Sequence, residues 1–540
     1  MLLFFLEICT LLAIQGNRVQ PLVFTNQEKA LPADFPFQST VYSIRLKPKG
    51  AANWISPYLF VDKNEREAPG SAGSSETHYF SFFNSRSTWV EATKFHSTAT
   101  HALVLFSDGK TRKIRTTKIR LHRKIAFVVP AKTLKIAVEF IDSSDYTTTR
   151  QGLVTPQKPL LIFSGPSKGR PDAPSPAQSH VWAANSKETT SWPGKNIPSH
   201  ATKIYFHPGY YRIGYFKVPP QINEIFLPPG AYVEGYLYGE RTQSITIQGG
   251  GILATAPEWP FHASGADIRS PASRYDEWAY MIELQGARHH VIRDLTIAGA
   301  TAYNIWLNCS DSRVENVNIL CNLYNGDGIT LLGENHRISD CFIRTNDDAI
   351  IHYGSGHVVE HTTFWQLNNG ACIQLGWSAG SKGGLSPENP DRFQNLSVFH
   401  LQSEISESSQ GNNRSFIAYS CKDQSGKNDA VVQNFLFENI SFHTPIPRFL
   451  DIIAKRTEAV KSVCFENFTF KNINIPLTIN HKNNLSFLKG YDKTHLIRNF
   501  QFLKVKVNGR LITSSNWTKT GISGGNFMAN EFTEMPIFHP

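Results

Sequence analysis

The chain is poor in charge, in cysteine and in helical periodicity, and beyond its first residues it has no long apolar run. Only 18% of its 540 residues are charged while 41% are hydrophobic and 12% aromatic, a composition that excludes wholesale disorder. The formal charge of +10 is spread without long basic blocks. Its densest patch, Arg112 to Lys124, is interleaved with Thr, Ile and Leu, as in a strand with a solvated face. No nucleic-acid motif accompanies it, so a nucleic-acid partner is not expected. Cys309, Cys321, Cys341, Cys372, Cys421 and Cys464 follow Cys9, and none forms a C-x-x-C pair, which argues against a zinc site. Pairing among them is open, because spacing does not give connectivity. After Gly16 nothing is long and apolar enough to span a membrane, so no membrane partner is expected. Met1 to Gly16 itself reads as a secretory signal, although it lacks a basic start and carries Glu7. Asn-x-Ser/Thr sequons at Asn308, Asn395, Asn413, Asn439, Asn467, Asn484 and Asn516 fit an extracellular glycoprotein.

A chain of this length divides into more than one unit. Residues 17 to about 165 alternate apolar and polar over short runs such as Val41 to Leu46 and Leu134 to Phe140, broken by Gly, Pro, Asn and Ser. That pattern predicts a β-sandwich, here a supporting or carbohydrate-contacting module. Gly165 to Ser199 shifts to Pro, Ser, Lys and Ala and reads as a linker. The expected boundaries are therefore 17–199 for the first domain with its linker and 200–540 for the second.

The second part repeats itself. A polar-apolar-x-apolar signature recurs at Asp294-Leu295-Thr296-Ile297, Asn316-Val317-Asn318-Ile319, Asp340-Cys341-Phe342-Ile343 and His361-Thr362-Thr363-Phe364. Wider copies begin at Asn395, Asn439, Asn467 and Asn499, the longer steps implying loops inserted at corners. Short strands with polar corners, stacked so that apolar residues form a column, predict a parallel β-helix. The expected class is all-β throughout.

Within the repeat, Asn325-Gly326-Asp327-Gly328 is matched by Asn346-Asp347-Asp348-Ala349, and a third copy, Asn368-Asn369-Gly370-Ala371, lacks the acids. Strict alternation would put Ala349, Ile351 and Tyr353 inward with Ala371, Ile373 and Leu375. Asp327, Asp348, Ile350, His352, Cys372 and Gln374 would then face outward. Asp327 and Asp348 would stand about 4.8 Å apart, the spacing of neighbouring strands, with Asp347 at the turn. Acids stacked this closely repel, and a cation, a shared proton or a catalytic task must compensate. Glycoside hydrolysis supplies the task, since one carboxylic acid protonates the leaving oxygen while another carboxylate activates water or attacks the sugar. Tyr303, Trp306, Tyr324, Trp365 and Trp377 lie near the acids in the repeat and are candidates to stack on sugar rings. His352 and Gln374 are further candidates for substrate contact. No cofactor or metal is needed for this chemistry. A cation-holding, non-catalytic polysaccharide-binding β-helix is the competing reading, and a chelator separates the two.

Asn325-Gly326-Asp327-Gly328, then Asp347-Asp348, then Gln374-Leu375-Gly376-Trp377 resembles glycoside hydrolase family 49, the dextranases and isopullulanases, within the pectin-lyase-like β-helix hydrolases. The resemblance implies an N-terminal β-sandwich joined to a right-handed parallel β-helix, and a hydrolase that inverts the anomeric centre of a neutral α-glucan such as dextran or pullulan; the chain is expected to be secreted and monomeric. The resemblance also implies that Asp347 is the general acid and that Asp327 and Asp348 hold the attacking water. Family 28, the polygalacturonases, shares the acids but adds a Gly-His-Gly and an Arg-Ile-Lys for its anionic substrate. Here the matching coil reads Asn369-Gly370-Ala371, and no Arg-Ile-Lys occurs. Lys422, Arg448 and Lys455 remain as cations for such a substrate.

Overall fold

A computed structural model describes residues 20–21, 37–63, 76–142, 145–148, 154–166, 172–184, 197–240, 243–255, 280–300, 303–324, 326–376, 382–403, 413–419, 430–454, 463–478, 485–518 and 527–540. The expected signal segment, Asn325, Trp377, Cys421, Lys422, Lys455 and Asn484 lie outside them. Among the described residues the chain is built from strands, and no helix is long and apolar enough to cross a membrane.

Among the described residues the first part holds two larger sheets, beside the two-stranded pair of Tyr146–Thr148 and Val154–Pro156. One orders Gln20–Pro21, Glu76–Asn84, Leu160–Pro166, Leu134–Phe140, His101–Phe106 and Thr111–Arg115, with Phe60–Lys63 beside Glu76–Asn84. The other orders Tyr42–Pro48, Thr88–Lys94, His122–Val129 and Thr117–Ile119. Alternation explains the second sheet, because Tyr42, Ile44 and Leu46 point inward while Ser43 and Arg45 stay exposed. The inner faces share one core, in which Ile44, Val90 and Phe127 meet Phe80, Val104 and Ile136.

The second part is a parallel β-helix whose coils carry three short strands. One complete coil is Arg313–Glu315, Asn318–Tyr324 and Ile329–Glu334, and the next is Arg337–Ser339, Phe342–Asn346 and Ile350–His352. The expected column is present, as Ile297, Ile319, Ile343, Phe364 and Val398 are successive partners and Leu295, Val317 and Cys341 lie in the same core. The polar residue that opens each copy has a physical reason. Asp294, Asn316, Asp340, His361, Asn395 and Asn439 all have φ between 49° and 57°, a left-handed corner that Asn and Asp tolerate best. Their amides also bond from coil to coil, Asn316 to Asp294 at 2.7 Å and Asn439 to Asn395 at 3.0 Å. Towards the C-terminus a ladder of phenylalanines fills the lumen, Phe393, Phe437, Phe470, Phe502 and Phe538 stacking at 5.1–5.6 Å.

Three expectations are corrected. The β-helix sheet begins inside the expected linker, since Val181–Ala184 pairs in parallel with Lys203–Phe206. The copies at Asn467 and Asn499 continue a neighbouring column through Asn434, whereas the column of Asn439 continues at Asn472. Finally, Ile350 and not Ile351 stands over Ile373. A slip of one residue exchanges the two faces. Ile350 and Cys372 therefore join the core, and Ile351 falls outward in line with Thr330 and Gln374.

The two parts meet over a large buried face. Leu320, Phe342, Trp365, Leu367 and Phe399 of the β-helix belong to the core of the N-terminal sheets. Polar residues are threaded through it in pairs. Lys135 Nζ donates to Asn316 and Asn318 at 2.7 and 2.8 Å, and Glu139 pairs with His400 at 2.7 Å. Asn322 donates to Asp62 at 2.8 Å and accepts from Arg344.

Candidate active site

The three acids lie at the corner where the second strand of a coil hands over to the third. Phe342–Asn346 ends just before Asp347, and Ile350–His352 begins just after Ala349. Because the acids precede the regular strands, alternation does not decide their direction. Asp327 sits one coil earlier at the same corner, as shown by Gly328 N donating to Asp348 O at 2.8 Å. Asp327, Asp347 and Asp348 are all buried, and one carboxylate oxygen from each lies within 4.8 Å of the others.

The glycines of the repeat make this packing possible. A Cβ on Gly328 would come within 2.2 Å of Ala349 O, and one on Gly370 within 2.5 Å of Asp347 C, with φ at +72°. Only glycine lets the third coil close beneath the acidic pair.

Hydrogen bonds distinguish the carboxylates. Asp348 is the most strongly held, accepting from Ala371 N at 2.7 Å and from Asn413 Nδ2 at 2.9 and 3.1 Å. Donors of this kind favour the ionised form. Asp347 accepts from Asp348 N at 3.0 Å and from Asn369 Nδ2 at 2.7 Å. Asp327 accepts from Asp348 N at 3.1 Å, and its own backbone oxygen accepts from Asn304 Nδ2 at 2.6 Å. Burial first, and then the charges of Asp347 and Asp348, push the Asp327 carboxyl well above the usual carboxylate range. Crowding and burial thus favour the protonated form of Asp327, and the same three carboxylates are the group that could hold a cation. The general spacing rule puts acid and base about 6.5–9.5 Å apart for inversion and about 5–5.5 Å apart for retention. That rule concerns the separation of the carboxyl groups, whereas the 4.8 Å here is between single oxygens of each.

Of the other sequence candidates, Tyr303 is brought to the site. Burial, followed by Asp327, Tyr280 and Asp347, raises its hydroxyl pKa, and its ring stacks on Tyr280 at 4.9 Å. Trp306 packs edge-on against Tyr280 at 4.2 Å, and its indole N–H has no partner among the described residues. Gln374 lies on the outward row and is buried, with Nε2 bonded to Gly376 O and Oε1 without a partner among the described residues. Tyr324 pairs through its backbone with Asn346, and its side chain is not described. His352 is a correction. It faces the lumen, paired with Asp391 at 2.5 Å and packed against Phe435 at 5.0 Å, because the register places it beside core Leu331. Trp365 is another, buried at the domain interface beneath the Arg344 guanidinium. Arg448 is likewise buried and paired with Asp451 at 3.2 Å. Among the described cysteines, Cys309, Cys321, Cys341 and Cys372 are buried free thiols.

Sequence reasoning missed Asn369, Asn413, Asn304 and Tyr280. Asn369 was within reach, as the third copy's counterpart of Asp347. Asn413 was noticed only as a sequon, and its amide nitrogen, the atom that glycosylation would modify, is committed to Asp348 in a buried setting.

No protein-family model matches the chain. It is 25% identical over 285 residues to a dextranase of Talaromyces minioluteus, covering 48% of this chain and 45% of that protein. It is also 25% identical over 292 residues to a dextranase of an Arthrobacter strain, covering 50% of this chain and 43% of that one. The chain thus spans less than half the length of the curated relatives it matches. Its fold is similar to that of Dex49A from Penicillium minioluteum, with a TM-score of 0.74 and 16% identity, covering 97% of this chain and all of the other. These findings bear out the resemblance to family 49 and the β-helix fold that goes with it.

Proposed function

We propose that this relative of the dextranases is a secreted glycoside hydrolase that cleaves α-glucosidic bonds in a neutral glucan such as dextran or pullulan, with inversion. The observation that carries this reading is the trio of buried aspartates gathered on adjacent coils of a β-helix. In this reading Asp347 protonates the leaving oxygen, while Asp348 and Asp327 orient and deprotonate water. Asp348 suits the base role because its oxygens accept from Ala371 and Asn413. Tyr303 and Trp306 offer ring faces to the sugar. The Oε1 of Gln374 and the indole N–H of Trp306, unpartnered among the described residues, are available to hydroxyl groups. The N-terminal sheets act as a β-sandwich support, the coils wind right-handed, and the chain works as a monomer after its leader is removed.

One observation favours a second assignment within the same reaction. Asp327 is the carboxyl that its surroundings push up, so it is the other candidate proton donor. Coupled acids titrate as a group, and a substrate lying over them decides which one delivers the proton.

The test is release of reducing ends from a panel of dextran, pullulan and polygalacturonate, with and without a chelator, together with the anomeric form of the first product. Release from a neutral α-glucan, insensitive to chelator and giving the inverted anomer, supports the proposal. Cleavage of polygalacturonate alone, or loss of activity on chelation, overturns the substrate or the metal-free chemistry respectively. A retained anomer overturns inversion.

A further inference from the structure

The outer face of the four-stranded N-terminal sheet carries a feature that the hydrolytic reading does not use. Among the described tryptophans, Trp54 and Trp89 stand out as 38% and 49% exposed. Exposed indoles are informative because large aromatic side chains are normally covered. These two share one row of the sheet. Trp89 stands opposite Lys47 in the pairing of Thr88–Lys94 with Tyr42–Pro48. On the other flank Ile55 bridges to Leu46, which brings Trp54 alongside Lys47. The Arg45 guanidinium lies 5.0 Å from the centre of the Trp54 ring, fixing that indole on the same face. The backbone positions that carry the two rings are thus about 9.6 Å apart, two strand spacings, with a lysine between them. That separation is about the span of a disaccharide.

The charge around the row has one sign. Glu91 is already held by Arg45 at 2.5 Å and by Lys124 at 2.9 Å. Lys47 forms no ion pair among the described residues, so the face sets Arg45, Lys47 and Lys124 against a single Glu91. From Gly109 to Val138 the sequence contains no Asp or Glu at all, so the neighbouring edge has no acid of its own to neutralise it.

We propose that this face binds an acidic polysaccharide, with pyranose rings stacked on Trp54 and Trp89 and carboxylates received by Lys47 and the cations beside it. Ring stacking uses the flat, apolar indole faces, and charge complementarity selects and steers an anionic polymer. A neutral glucan would use the indoles and leave the uncompensated cations idle. The face would tether the chain to an acidic matrix, and this holds whether or not the aspartate trio cleaves a glucan.

Affinity electrophoresis of the full chain carrying Asp347→Asn tests the idea without any hydrolysis. The gels contain polygalacturonate, dextran or single-stranded oligothymidylate. Retardation by polygalacturonate is expected, weakened about tenfold or more in Kd by Trp54→Ala with Trp89→Ala, and weakened again by Lys47→Glu. Both indoles are exposed, and unchanged thermal melting of the variants will show that the sheet is intact. Equal retardation by dextran overturns the acidic assignment. Equal retardation by oligothymidylate, or binding indifferent to the tryptophans, reduces the face to a general cation patch and overturns the proposal. No retardation by polygalacturonate overturns it as well, and none of these outcomes bears on the hydrolase reading.

Discussion

At the scale of single residues, the site is a problem of keeping three negative groups together. Asp348 accepts hydrogen bonds from Asn413 and Ala371, and Asp347 accepts one from Asn369. Asn413→Ala should leave Asp348 short of donors that are worth about 1.5–3 kcal/mol when they serve a charged group. The expected result is a kcat lower by about tenfold to a hundredfold with KM little changed. Steady-state kinetics on dextran will check it, and a change confined to KM would place Asn413 in substrate binding instead. Asp347→Asn should cost roughly 10²–10⁴-fold in kcat, the usual worth of a general acid. A glucosyl substrate whose leaving group needs no proton should recover much of that loss. If recovery appears in Asp327→Asn and not in Asp347→Asn, the two acids exchange roles.

At the scale of the coil, the corner depends on backbone fit more than on side-chain chemistry. Gly370→Ala forces a Cβ against the Asp347–Asp348 backbone at a positive φ, which should destabilise by about 1–3 kcal/mol through strain. It should also displace the acidic pair, so activity ought to fall further than stability. Thermal melting together with kcat separates the two, and an active, unshifted variant would show that the corner can yield. The phenylalanine ladder makes the opposite kind of contribution. Phe470→Ala opens a void between Phe437 and Phe502 and should cost about 3–5 kcal/mol. Its effect on kcat should be small, since these rings lie well past the catalytic coils along the chain.

At the scale of the whole molecule, the N-terminal sheets hold the strands that carry the acids. Asn322 and Arg344 lie on the two strands leading into the catalytic corner, and both are tied to Asp62. Burial raises the Asp62 carboxyl to about 6 against the pull of Arg344. A folded-state pKa above the unfolded value means that the folded chain holds this proton more tightly. Its contribution to stability is therefore full below about pH 4 and is lost as pH rises through about 6. The bound is roughly 3 kcal/mol, from a shift of about two units. Urea unfolding at steps from pH 4 to 7 should show that decline, and Asp62→Asn should flatten it. An unchanged slope in the variant would assign the decline to other groups.

The repeat, and through it the β-helix and its acids, can be read from local sequence. Left-handed corners demand Asn, Asp or Gly, and a stacked column demands apolar residues at one offset, so both constraints are written locally and recur at each coil. Asp327, Asp347 and Asp348 were legible for the same reason, as irregularities within a regular text. Tertiary structure alone decided the rest. A register slip of one residue sent His352 into the lumen and brought Ile351 out, because an inserted residue between coils shifts a strand without altering its composition. Docking of the N-terminal sheets buried Trp365, whose own strand gives no sign of a partner lying so far back in the chain. Asn413 reaches Asp348 only because the chain returns to the same corner after a long excursion, a closure that no local pattern encodes.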